Sequence, residues 1–225
     1  MENRSSSLVP FDLNAFLGAM AHDLANPLNA ISMNTELVRL LVQKNQTARV
    51  PEIVERVLAD CARCSRFLRD LRQFGDATKD RPRERVSLQA LVDAAEIGAR
   101  ALVSGKFPEI QLSAGETTFS AERQSMEAAI SAILRNAAEA GARVLRITAR
   151  STDRDIHLLF ADDGGGFGEA SVNKALTPFF STRRQEGNTG LGLALCAYVV
   201  SAHSGELTVQ NGPEGGAEVR IKLPA

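Results

Sequence analysis

The chain has 225 residues, 44% of them hydrophobic, with 26 basic side chains against 27 acidic ones. That length buries one large core or two modest ones, and balanced charge with one tyrosine and no tryptophan excludes a nucleic-acid surface built on basic fields and stacked rings. No apolar run nears the roughly 20 residues that span a bilayer, Met1–Ser7 lacks a signal-peptide core, and three cysteines cannot build a disulfide framework, so the protein is expected in the cytoplasm.

Residues 1–10 read as a tail. From Phe11 to Gln43 the spacing predicts a helix, with Leu17, Met20, Leu24, Leu28, Ile31, Val38 and Leu41 on one stripe. His22 lies two positions from Met20 and from Leu24, about 160° around from that stripe, and should point to solvent. Asp23 beside it can hold the Nδ1 proton and leave Nε2 nucleophilic. Pro27 deprives the Asp23 carbonyl of its helical partner.

After the polar break at Lys44–Thr47, Pro51 suits the first turn of a second helix. Val54, Val57, Cys61, Cys64, Leu68 and Leu71 step 3-4-3-4-3 along it, a heptad seam. Cys61 and Cys64 are therefore read as packing residues. Two such helices form a hairpin with more apolar surface than one copy covers, so a homodimeric four-helix bundle is expected. Residues 75–85 are charged, contain proline and lack an apolar run, and 79–85 are read as a linker.

Beyond the linker the pattern changes. Ser87 is placed as the cap of a helix to about Val103, and Ser120 as the cap of another through Ala140, stopped by Gly141. Strands are expected at Ile110–Leu112, Thr117–Phe119, Val144–Ala149, Ile156–Phe160, Leu207–Val209 and Ala217–Leu223, and a helix over Leu191–Ala202. Helices on one face of a mixed sheet make an α+β sandwich. His203 is read as a cation at a helix end, Cys196 as core, and the arginines at 143, 146, 150 and 154 as a solvated face.

Two glycine runs carry the chemistry. Asp162-Asp163-Gly164-Gly165-Gly166 follows a strand, where the first carboxylate can accept from an exocyclic amine while Gly164 and Gly166 admit a flat ring. Gly190-Leu191-Gly192-Leu193 opens a helix whose free N–H groups suit phosphates, with Arg183 and Arg184 adding charge. Asn136 can offer an amide oxygen to Mg²⁺. Neither run is a Walker A or a Rossmann fingerprint.

These segments resemble the five boxes of the two-component sensor histidine kinases, in that family's order. His22-Asp23-Leu24-Ala25-Asn26-Pro27-Leu28 looks like the H-box and Leu134-Arg135-Asn136-Ala137-Ala138-Glu139-Ala140 like the N-box. Asp162–Gly166 and Gly190–Leu193 look like the glycine boxes. Pro178-Phe179-Phe180-Ser181-Thr182-Arg183 is similar to the F-box and short lid of the nitrogen-regulation subgroup. The resemblance implies a dimerisation and phosphoacceptor hairpin over 11–78 and a Bergerat-type ATP-binding domain over 86–225. It implies that His22 is autophosphorylated from ATP with Mg²⁺ and passes the group to an aspartate of a response-regulator receiver domain. Asp23 then serves as base or orienting acid, and Asn26 positions water when the regulator is dephosphorylated. Asn136 holds Mg²⁺, and Asp162 holds the adenine amine. Gly164, Gly166, Thr182, Arg183, Gly190, Leu191 and Gly192 shape the nucleotide site, Arg183 standing where the subgroup has a lysine.

Two positions depart from the pattern: Ala132, where many of these kinases carry an asparagine and hydrolytic relatives a glutamate, and Glu139, commonly basic. Only about ten residues precede the hairpin, so input is expected either from a bound, separate sensory protein or from the rest of a longer protein of which this chain is a fragment. The alternative reading is a histidine phosphotransferase relay that does not use ATP; degenerate glycine runs would mark it, and these are intact.

Overall fold

A computed structural model describes residues 13–103, 105–168, 171–183, 188–213 and 215–225. Phe11, Arg184, Gly187 and the tail expected at 1–10 lie outside these. The chain divides into a helical unit, running to Arg72 and including Arg183, Asn188 and Thr189, and a sheet unit of Gln73–Thr182 and Gly190–Ala225.

In the helical unit, α1 spans Leu13–Gln43 with Pro27 inside it, and α2 spans Val50–Ala77. A short 3-10 turn at Thr47–Arg49 joins them. Asn45, at φ 54°, takes the left-handed conformation that ends α1. Met20, Leu24, Ile31, Val38 and Leu41 are half-buried as expected, whereas Leu17 and Leu28 are exposed. The stripe read from α2 is split. The buried line runs through Ile53, Phe67 and Phe74, with Val57, Cys64 and Leu71 half-buried. One residue around, Val54, Leu58, Cys61 and Leu68 are exposed at steps of 4-3-7. A single 3-4 period draws one stripe through two adjacent heptad lines, and only one is covered in one chain.

The segment read as a linker is bounded by regular structure, and residues 78–83 belong to no helix or strand. Helix α2 continues to Ala77, and Glu84–Ser87 form strand β1. Between them Arg81 Nη1 donates to the Asp76 carbonyl at 3.0 Å. Charge and proline hid the strand, because β1 is four residues long with only Val86 buried.

Helix α3 (Leu88–Arg100) follows, then β2 (Glu109–Ser113), β3 (Thr118–Ala121), α4 (Arg123–Glu139), β4 (Val144–Ser151), β5 (Asp155–Asp162), α5 (Gly192–Ala202), β6 (Glu206–Asn211) and β7 (Ala217–Pro224). Strands β1 and β3 pair antiparallel. The main sheet has order β2-β4-β5-β7-β6, and among its pairs only β2–β4 is parallel. Strand residues alternate, so Leu145, Ile147, Leu158, Phe160, Val219 and Ile221 bury one face. Met126, Ile130 and Leu134 of α4, Leu88 and Leu91 of α3 and Val199 and Val200 of α5 are buried as well, and α4 packs between α3 and α5. Each such side chain stabilises the unit by about 1.5–3 kcal/mol through burial. The other face carries exposed Arg146, Arg150 and His157.

Two caps differ from expectation. Ser87 occupies the N-cap of α3 but its side chain makes no capping bond. Ser120 lies within β3, and Glu122 caps α4, its carboxylate accepting from Gln124 N at 3.0 Å and Ser125 N at 2.7 Å. At the other end Gly141, φ 74°, stops α4 as predicted.

Candidate functional site

His22 lies on α1 with its side chain 72% exposed, and its Nδ1 stands 3.2 Å from Asp23 Oδ1. Asp23 itself is only 13% exposed. With the Nδ1 proton directed at this carboxylate, Nε2 keeps its lone pair and faces outward. Asn26, also exposed, is four residues on and therefore on the same helix face.

The sheet unit builds its site at the end of β5. Asp162 is the last residue of that strand, and its Oδ1 accepts from Gly164 N at 2.8 Å and Ala217 N at 3.2 Å. Two backbone donors fix the carboxylate through one oxygen and leave Oδ2 for an external donor. Asp163 points elsewhere: its Oδ1 accepts from Arg143 N and Val144 N at 2.7 and 2.9 Å and caps the start of β4. Those two amides hold its carboxyl below the usual carboxylate range.

The glycines are required where the chain crowds itself. A Cβ on Gly164 would lie 2.9 Å from Ala140 Cβ and 3.0 Å from Asp162 Oδ1. Gly166 has φ 64°, and Gly190 has φ 70° with a virtual Cβ only 2.5 Å from the Phe180 carbonyl oxygen. Gly192, by contrast, has room: its nearest neighbour is Ala132 Cβ at 3.6 Å, and it starts α5 after Leu191, which is buried. Phe179 is buried at φ 63° and donates its N–H to the Gly190 carbonyl at 3.1 Å, so the F-box segment and the second glycine run brace each other. A left-handed phenylalanine is a strained backbone position of the kind found at ligand sites.

Asn136 is half-buried on α4. Among the described residues no group of three His, Cys, Asp or Glu side chains stands ready for a metal. A single amide oxygen fits Mg²⁺ only as a partial ligand, with phosphate and water oxygens supplying the rest. Thr182 is exposed at the end of its segment in the sheet unit, while Arg183 belongs to the helical unit, where Thr189 Oγ1 donates to Asp70 Oδ2 of α2 at 2.6 Å.

Other participants were not legible in the sequence. Gly216, φ 73°, passes so close under Asp162 that a Cβ would collide with the Asp162 carbonyl, and Ala217 supplies the second amide to Asp162. Both sit 50 or more residues downstream, and the pairing of β5 with β7 brings them back. The guanidinium of Arg135 lies beside Gly192, its Nη2 3.9 Å from that glycine's virtual Cβ. Of the remaining histidines, His203 is buried, its Nε2 accepting from Glu122 N at 2.9 Å and its Nδ1 2.7 Å from the Val199 carbonyl. One nitrogen donates and the other accepts, so this imidazole is neutral, and the helix-end cation expected there is corrected. Cys196 is buried, with its thiol pushed up to about 12 by burial. Burial also raises Cys64, with Cys61 and Asp60 adding to it.

The chain thus joins a helical hairpin carrying an exposed imidazole beside an acid to a sheet unit with a glycine-lined end. Comparison with known proteins agrees part by part. Residues 12–79 match the family model of the His Kinase A (phospho-acceptor) domain, and 121–225 match that of the histidine kinase-, DNA gyrase B- and HSP90-like ATPase. Sensor protein FixL of Bradyrhizobium diazoefficiens is 29% identical over 220 residues, 92% of this chain and 42% of that protein. The C4-dicarboxylate transport sensor protein DctB of Pseudomonas aeruginosa is 30% identical over 221 residues, 94% of this chain and 36% of its own length. The structure of the Acinetobacter baumannii histidine kinase AdeS superposes with a TM-score of 0.65 at 18% identity, covering 90% of this chain and 97% of that one, a likeness of fold. The chain belongs to the two-component sensor histidine kinases. It spans less than half the length of FixL and DctB.

Proposed function

We propose that this protein is an ATP-dependent protein histidine kinase that phosphorylates His22 and passes the phosphoryl group to an aspartate of a response-regulator receiver domain. The observation that carries this reading is the exposed His22 imidazole whose Nδ1 is held by Asp23. Nε2 attacks the terminal phosphorus of ATP, the bond to the bridging oxygen breaks, and ADP leaves. The Nδ1 proton stays between His22 and Asp23, which stabilises the imidazolium character that develops. Positioning and charge stabilisation dominate such transfers.

The sheet unit supplies the nucleotide site. Asp162 Oδ2 accepts from the adenine amine, Gly164 and Gly166 let the ring approach, and Gly190 to Gly192 offer amides to the phosphates. Asn136 would hold Mg²⁺, which supplies charge neutralisation at the phosphates when bound. Arg135 adds positive charge beside Gly192. Ala132 gives no carboxylate to activate water, which favours transfer to histidine over hydrolysis. The intact glycine cradle likewise favours a kinase over a relay that does not use ATP.

The dimer follows from the uncovered heptad line at Val54, Leu58, Cys61 and Leu68 and from exposed Leu17 and Leu28 on α1. A second copy covers these and completes a four-helix bundle. The receiver domain docks below His22, along Ile31–Leu37 and α2, where Asn26 can orient water for dephosphorylation. Input comes from a sensory module or partner, and the use of ATP favours a cytoplasmic location for the catalytic part. Acid-labile label from γ-labelled ATP, then chased onto a receiver domain, tests the reading; an unlabelled protein that nonetheless accepts phosphate from a phosphorylated receiver would instead be the relay.

A further inference from the structure

The residue opposite Ala217 on the neighbouring strand is Asn211, the last residue of β6. Ala217 N grips Asp162, the first residue of the glycine loop. The Asn211 side chain grips the other end: its Oδ1 accepts from Phe167 N at 2.7 Å, and its Nδ2 donates to the Phe167 carbonyl at 2.8 Å. A donor and an acceptor on one backbone residue fix which way the amide faces. Asn211 thus does for Phe167 what a neighbouring strand would do, at a point where no strand continues. The fit is close, since a Cβ on Gly166 would lie 2.9 Å from Asn211 Oδ1 and equally near the Gly216 carbonyl oxygen. One cross-strand pair, Asn211 and Ala217, therefore brackets the loop from Asp162 to Phe167 at both ends.

We infer that Asn211 is a positioning residue for nucleotide binding: its two hydrogen bonds hold the Asp162–Phe167 loop open and ordered before the nucleotide arrives. This rests on reading that loop as the adenine site. A loop already in its bound shape loses less conformational freedom on binding, so the bracket contributes to affinity without touching the ligand. Asparagine is specifically suited. Aspartate keeps the acceptor for Phe167 N but sets a carboxylate against the Phe167 carbonyl, and alanine removes both bonds.

The test titrates Mg-ADP into the full chain and into Asn211→Ala, Asn211→Asp and Asp162→Asn, and measures autophosphorylation against ATP concentration. Asn211→Ala, which loses both bonds, should bind about 30-fold more weakly, and Asn211→Asp, which loses one and sets a carboxylate against a carbonyl, about tenfold. KM for ATP should rise in step, while kcat at saturating ATP stays within about twofold, a split that general loosening of the fold does not give. Amide exchange at Phe167 should accelerate, with that at Leu159 in the middle of β5 unchanged. If Asn211→Ala does not fold, the near-isosteric Asn211→Asp decides. Parental affinity in the Asn211 variants, with binding lost in Asp162→Asn, overturns the inference alone. Parental affinity in Asp162→Asn overturns the nucleotide site as well.

Discussion

The Nε2 of His203 at the end of α5 accepts the backbone amide of Glu122 at the start of α4, 2.9 Å away across 81 residues of sequence. The same Glu122 turns its carboxylate back onto Gln124 N and Ser125 N, and Arg81 Nη1 lies 3.5 Å from it. Burial alone pushes this carboxyl up, but hydrogen bonds from Ser125 and Gln124 and the Arg81 charge outweigh it and hold it below its ordinary value. A depressed folded-state pKa stabilises the protein above the unfolded carboxylate value, and that stability is lost as pH falls through the folded one. Glu122→Gln should therefore cost about 1 kcal/mol near neutral pH and flatten the acid limb. Denaturant unfolding from pH 6 down to pH 3 checks this; parallel curves for parent and variant would contradict it.

The two glycines of the second run should respond differently to alanine. At Gly190 the left-handed φ and the 2.5 Å approach to the Phe180 carbonyl leave no room for a Cβ. Gly190→Ala should destabilise the sheet unit by about 1–3 kcal/mol and weaken nucleotide binding. Gly192 begins α5 with its nearest neighbour at ordinary contact distance, so Gly192→Ala should change stability by less than about 1 kcal/mol. Thermal melts with and without Mg-ADP separate the two.

Much of this was legible from the chain. Elements with a strong period or a sharp stop, such as α4 ended by Gly141 or β5 ended at Asp162, lie within two or three residues of expectation. His22 faces solvent because its angle from Met20 and Leu24 settles it. What failed was non-local. Helix α2 shows two adjacent apolar lines, and counting 3-4 steps cannot say which one a single chain covers. Strand β1 exists through pairing with β3 and has too little apolar surface of its own to announce it. Glu122 displaces Ser120 as a cap because β3 continues through Ala121. Asn211, Gly216 and Ala217 join the site through a strand pairing that no local spacing encodes, and His203 is neutral because a distant amide happens to point at it.

The uncovered line on α2 predicts association. Leu58 and Leu68, each 55% exposed, should sit in the seam between two copies. Leu58→Glu with Leu68→Glu puts like charges into that seam and should shift the protein from dimer to monomer at micromolar concentration by sedimentation equilibrium. Nucleotide binding to the sheet unit should persist. A parent already monomeric at that concentration would contradict the proposed bundle.

Asp23 is expected to act through His22 rather than on ATP. Asp23→Asn keeps the size but weakens the hold on the Nδ1 proton, and the autophosphorylation rate should fall about 100-fold, within the range that a positioned acid–base partner contributes. Affinity for Mg-ADP should not move. Single-turnover labelling with ATP in excess measures the rate, and a change confined to KM would place Asp23 elsewhere in the reaction.

His22 is expected to receive the phosphoryl group. Purified protein incubated with γ-labelled ATP and Mg²⁺ should gain label that survives base and is released by acid, while His22→Ala, folded and still binding Mg-ADP, should gain none. Equal labelling of His22→Ala, or label stable to acid, would contradict the account.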